Sequence, residues 1–161
     1  GARVSLVLGK CIGSSLGALI QGALFLLLAP LAGFSFADML FGPLAVGLVL
    51  TCLALCTLGF AVAWWLDSST AYHVVMSVLL LPLWVLSGSM FPAKPGTLMG
   101  YLVSANPLSY AVSAVRRGMY GVALPEGMQL GSRDPWLELA MLFGFFAAAL
   151  ALAVSVCQRR R

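Results

Sequence analysis

The sequence predicts an all-α, polytopic membrane protein with four transmembrane helices and short re-entrant or interfacial helices on the extracytoplasmic side. Three observations carry this. Of 161 residues, 61% are hydrophobic and 9% charged, whereas a soluble globular domain carries about 25% charged residues. The apolar residues gather into four runs long enough, at about 20 residues each, to cross a hydrocarbon core of about 30 Å. Trp64, Trp65 and Trp136 stand at the ends of these runs, where amphipathic rings favour the headgroup layer. Soluble enzyme, disordered tail and disulfide scaffold all fail on the first observation. The net charge of +4 is too thinly spread for the dense basic patch that nucleic-acid binding needs.

The first span runs from Cys11 to Ala29 and is stopped or kinked by Pro30. It also fits a signal-peptide core with Arg3 and Lys10 as its basic region, but it is long for that role and no clean small-x-small cleavage site follows. The second span runs from about Phe41 to Trp65, with Gly42 and Pro43 suited to a first helical turn. The third runs from Ala71 to about Met90 and contains Pro82; the fourth runs from Trp136 to Cys157 and ends in Arg159, Arg160 and Arg161. Asp134 as N-cap, Pro135 at the first position and Glu138 in the first turn mark its start. Residues 30–40 connect spans one and two, and Asp67, Ser68, Ser69 and Thr70 connect spans two and three.

An even number of spans puts both ends of the chain on one side. That side holds five basic residues, Arg3, Lys10 and the three terminal arginines, against Lys94, Arg116, Arg117 and Arg133 on the other. The compact arginine cluster directly after a span tips the positive-inside rule toward cytoplasmic ends. The expected location is the cell membrane (inner or plasma membrane), as a multi-pass protein. The chain begins with Gly1 and is expected to be a piece of a longer polypeptide; residues 1–161 read as a single transmembrane domain.

No Asp, Glu, Lys or Arg falls in the middle of a predicted span. A charge at the bilayer centre costs about 2.5–3.5 kcal/mol on insertion scales and usually marks a proton relay or ion path. The spans therefore offer no built-in coupling to protons and no embedded metal centre. Nor is there a phosphate-binding loop: Gly9-Lys10 would need glycine at Val4 and Ser or Thr at Cys11. No cofactor is expected on this chain. Gln21, Thr51, Thr57, Ser77 and Ser155 suit helix-to-helix hydrogen bonds, and Gln21 could also line a substrate path. Gly13 and Gly17 have the small-xxx-small spacing that lets helices approach closely. Cys52 and Cys56, one turn apart, and Cys11 and Cys157 read as packing residues.

The segment between spans three and four is the informative one. Ser87, Gly88 and Ser89 loosen the end of the third span, and Pro92 and Pro95 forbid regular helix beyond it. The apolar run from Thr97 to Ala105 is too short to cross, so it must be re-entrant or surface-docked. Asn106 as N-cap and Pro107 at the first position then start another helix. Leu108, Val112, Val115 and Met119 form its apolar face, with Ser109, Ser113, Arg116 and Arg117 elsewhere and Gly118 near its end. It reads as an amphipathic helix lying along the outer interface.

Two motifs here carry a resemblance. SGSMFP, from Ser87 through Gly88, Met90 and Phe91 to Pro92, and NPLSYAVSAVR, from Asn106 through Pro107, Leu108 and Tyr110 to Arg116, resemble the type-2 ABC transporter permeases. These are membrane subunits of ABC exporters for drugs, lipo-oligosaccharides and polysaccharides. LGKCIGSSLGALIQG, from Leu8 to Gly22, is similar to that family's third span, which typically opens with a Gly-Lys pair. Family members often carry Asp where Ser113 stands, so a charge pairing they make there is expected to be missing. The resemblance implies six spans, of which these are the last four. It places the two motifs at the outer gate, and a separate ABC ATPase on cytoplasmic connections around Gly9 and Lys10 and around Asp67 to Thr70. It also implies two permease copies, identical or paired, forming one pathway, with ATP used by the partner and alternating access arising from helices rocking against each other. The other function class these residues admit is a non-transporting membrane scaffold or assembly factor.

Overall fold

The computed structural model describes residues 2–90, 96–121 and 134–159. Phe91, Pro92, Lys94, Pro95, Arg133, Arg160 and Arg161 lie outside the described residues. Among the described residues there are six α-helices: α1 (Ala2–Leu27), α2 (Phe41–Trp65), α3 (Ser69–Val85), α4 (Leu98–Ala105), α5 (Pro107–Tyr120) and α6 (Pro135–Arg159). A short 3₁₀ turn, Ala29–Ala32, follows α1. There is no strand among the described residues.

Three of the helices, α1, α2 and α6, are long and apolar enough to cross a membrane, and the chain is a multi-pass helical membrane protein. α2 matches its expected limits. α1 begins well before Cys11, because nothing from Ala2 to Lys10 breaks a helix. Gly9 and Lys10 are therefore exposed helical residues rather than part of a connection. α3 is shorter than expected. Its 17 residues rise about 25 Å, and it closes at Val85 instead of reaching Met90. The cause is local: Leu86 donates back to Pro82, Ser87 donates to Trp84 in a tighter turn, and Gly88 takes a left-handed φ of 75°. Pro82 is accommodated inside the helix.

α2 is the central element, packing against α6, α5, α1 and α3. One cluster joins Val7 and Cys11 of α1 to Ala61 of α2 and to Ala153 and Cys157 of α6. A second joins Tyr110, Ala111 and Ala114 of α5 to Leu142 of α6, with Leu50 of α2 packed against them. These pairings make α2 and α6 parallel and α1 antiparallel to both. α5 sits at the end where α2 and α6 begin; the opposite end holds the start of α1 and the end of α6. We refer to these as the α5 end and the terminal end.

The interior is built largely from small residues. Ala54, Ala61, Ala111, Ala114, Ala149 and Ala153 are buried, whereas Leu16, Ile20, Phe25, Val78 and Phe143 are exposed. In lipid, helices gain little by hiding Leu from hydrocarbon, so association rests on close van der Waals packing. Gly13 and Gly17 do not serve this purpose: a Cβ on either would meet nothing within 4 Å. α1 turns its Val7, Cys11 and Ser15 face inward instead.

Two polar residues of the spans bond within their own helix, and among the described residues the buried Thr57 hydroxyl has no partner. Thr51 Oγ1 donates to the Gly47 carbonyl at 2.6 Å, and Ser155 Oγ to the Leu152 carbonyl at 2.8 Å. Ser15 bridges helices, donating to Cys11 at 2.7 Å within α1 and to Cys52 of α2 at 3.4 Å. Toward the α5 end, α1 and α2 part around a cleft of about 260 Å³, lined by Leu19, Ala23 and Leu26 and by Phe41, Leu44 and Leu48.

Candidate functional site

The residues of the two motifs converge around α5. Asn106 caps it, accepting from the Leu108 N–H at 3.0 Å, and Pro107 follows at the first position, where its missing N–H costs nothing. The Asn106 amide has a second task. Its Nδ2 donates to the Leu83 carbonyl at 2.6 Å, satisfying an acceptor in the last turn of α3, where carbonyls lack helical partners. Tyr110 donates its hydroxyl proton to the Ser104 carbonyl at 2.9 Å and so fixes α4 to α5.

Ser87 and Gly88 are buried. The Ser87 hydroxyl donates to the Trp84 carbonyl at 2.6 Å and lies 3.1 Å from the Ser89 hydroxyl. Arg116 Nη2 reaches the carbonyls of Gly88 at 3.3 Å and Ser89 at 3.2 Å. The start of the first motif is thus bonded to the second. Leu108 is half-buried and Met90 exposed.

α5 does not lie along the surface on its Leu108, Val112, Val115 and Met119 face. Its buried face is Ser109, Tyr110, Ala111, Ser113, Ala114 and Gly118. The reason is close approach to α2. A Cβ on Gly118 would lie 2.5 Å from Leu44 Cβ and 2.9 Å from its Cα, and a Cβ on Gly47 would lie 3.0 Å from Ala114 Cβ. Small residues opposite a helix allow that approach, and larger ones prevent it. The Leu40 N–H also donates to the Gly118 carbonyl at 2.8 Å, and the rings of Phe34 and Tyr120 meet edge to face at 5.0 Å.

A polar cluster joins α5 to α6. Glu138 accepts from Ser113 Oγ at 2.5 Å, from Arg117 Nη2 at 3.0 Å and from Arg117 Nε at 3.2 Å. Its side chain is 2% exposed, against 22% for Arg117. Glu138 suits a helix N-terminus by its position in the sequence; the structure adds that it is a buried ion-pair partner. The available signal was a carboxylate inside the fourth apolar run, since charge at such a position faces the interior and is paired. Position 113 still meets a carboxylate, supplied by α6. Asp134 does cap α6, accepting from the Trp136 N–H at 3.0 Å.

The remaining candidates lie apart from α5. Gln21 is exposed on α1. Asp67, Ser68, Ser69 and Thr70 are exposed at the terminal end, where Ser68 caps α3 by accepting from the Ala71 N–H at 3.4 Å, and Ser69 and Thr70 already belong to that helix. Among the described residues no group of three or more His, Cys, Asp or Glu is placed to hold a metal ion. Around α5 the arrangement is mechanical: one short helix bonded to the ends of several long ones.

Comparison with known families agrees with the motifs. The ABC-2 type transporter family matches residues 2–120, three quarters of the chain, and the protein belongs to that family. It is a membrane component, the permease, of an ABC transporter. No curated protein and no solved structure matches the chain.

Proposed function

We propose that this protein is the transmembrane permease subunit of an ATP-driven ABC exporter, acting as one transmembrane domain. It moves an amphipathic cargo, drug-like or linked to lipid or saccharide, out across the membrane. Family membership carries the reading, and permeases of this family normally work with an ABC ATPase. ATP is bound and hydrolysed by that separate subunit, and two permease copies, identical or paired, enclose the pathway. The two candidate ATPase contacts, Gly9 with Lys10 and Asp67 to Thr70, are exposed toward the same end of the bundle, away from α5, which supports one docking face there. That face is cytoplasmic in this reading, and the α4–α5 region is the outer gate. An apolar cleft between α1 and α2 suits cargo with a hydrocarbon part.

The test is co-purification of the full-length protein in lipid with an ABC ATPase, followed by ATPase measurement with and without the permease. Turnover that depends on the permease is the expected result. If no such subunit binds and no rate changes, the exporter reading fails and a membrane scaffold or assembly factor takes its place.

A further inference from the structure

α5 carries two adjacent arginines that serve different helices. Successive residues on a helix lie about 100° apart around its axis, so one short helix can hold two neighbours at once. Arg117 forms a two-bond ion pair with a buried carboxylate on α6. Arg116 holds the turn that directly follows α3 through the neutral carbonyls of Gly88 and Ser89, at 3.3 and 3.2 Å. The two attachments are unequal. A guanidinium paired with a carboxylate through two N–H groups is bound more strongly and with a more defined geometry than one bonded to neutral carbonyls.

The surroundings repeat this inequality. α5 is pressed onto α2 at Gly118 and Leu44 and at Ala114 and Gly47, with no room for an added methyl at Gly118. α3 has no buried residue. At Gly59, where a Cβ would approach α3, the nearest atoms are the flexible ends of Tyr72 and Met76. Among the described residues its short bond to the α5 region is from Asn106 to Leu83, five residues before Gly88.

We propose that α5 is a strap with a fixed arm and a releasable arm. Arg117 fixes it to α6, Arg116 is a clasp on the turn that follows α3, and the Asn106–Leu83 bond is the pivot left when the clasp opens. α3 is then the helix that swings, and α1, α2, α5 and α6 move as a block. Gly88 makes the clasp possible, because its left-handed φ turns the chain out of the helix and leaves its carbonyl free for Arg116.

The inference goes beyond the transport reading and does not rest on it, so its test uses neither ATPase nor substrate. The full-length protein, with its native cysteines replaced, is placed in lipid nanodiscs and spin-labelled in pairs. Labels at Leu81 and Met119 report α3 against α5, and labels at Met119 and Met141 report α5 against α6. Arg116→Met keeps the apolar stem but removes the donors. It should broaden the first distance distribution and leave the second unchanged. An unchanged first distribution, or equal broadening of both, overturns the proposal. Arg116→Ala is the second variant should the Met variant fold poorly, with the same readout.

Discussion

Glu138 accepts three hydrogen bonds from two side chains, and the consequences of removing each donor differ. Arg117→Met leaves a carboxylate buried without its counter-charge, a change that costs about 3–5 kcal/mol for a fully buried pair. Because Arg117 is 22% exposed, water can reach the site and the loss should fall toward the lower end. Ser113→Ala removes one neutral donor to a charged acceptor and should cost about 1.5–3 kcal/mol. Ser113→Asp should be worse than Ala, since it sets a second carboxylate against Glu138. Thermal unfolding in detergent orders the three; Ser113→Asp proving milder than Ser113→Ala would contradict the geometry. The caps at Asn106 and Asp134 were readable in the sequence because a cap is a local pattern of a few residues, whereas Ser68 was legible only as part of a polar connection. The pairing of Arg117 with Glu138 spans 21 residues and depends on how two helices meet, which no local pattern encodes.

At the scale of elements, what decides packing is where small residues fall against a neighbouring backbone. Gly118→Ala forces a methyl to within 2.9 Å of the Leu44 Cα, so α5 and α2 must separate; overpacking of this kind costs about 1–3 kcal/mol. Gly17→Ala meets nothing and should be neutral or slightly stabilising, because Ala is the better helix former by about 1 kcal/mol. A matched pair of melting curves checks this, and equal destabilisation by the two substitutions would refute the assignment of faces. The sequence offered Gly13 and Gly17 as the more regular motif, yet α1 points them outward. Spacing identifies a face that can pack closely without saying whether a partner lies there. The same ambiguity applied to α5. Its Leu108, Val112, Val115 and Met119 stripe suggested surface docking, but in lipid the face with Ala114 and Gly118 gains more from contact than the one with large side chains.

For the whole molecule, the directions of α1, α2 and α6 were legible from four apolar runs and their polar connections, because bilayer thickness fixes how long a crossing helix must be. The two connections flanking α2 lie at its opposite ends. In a background without native cysteines, Ala37→Cys and Ser68→Cys should therefore react with membrane-impermeant thiol reagents from opposite sides. Ala37→Cys should be reached from outside, under the orientation proposed above. Labelling of both from one side would break the two-ended arrangement.

The bond between α5 and α6 also has a consequence for how the chain is made. Arg117 precedes Glu138 by 21 residues, and chains fold from the N-terminal side as they are synthesised. When α6 enters the membrane carrying its carboxylate, the guanidinium that neutralises it has already been translated. The order of the two residues along the chain thus spares α6 from crossing into the bilayer with an acid and no base to meet it.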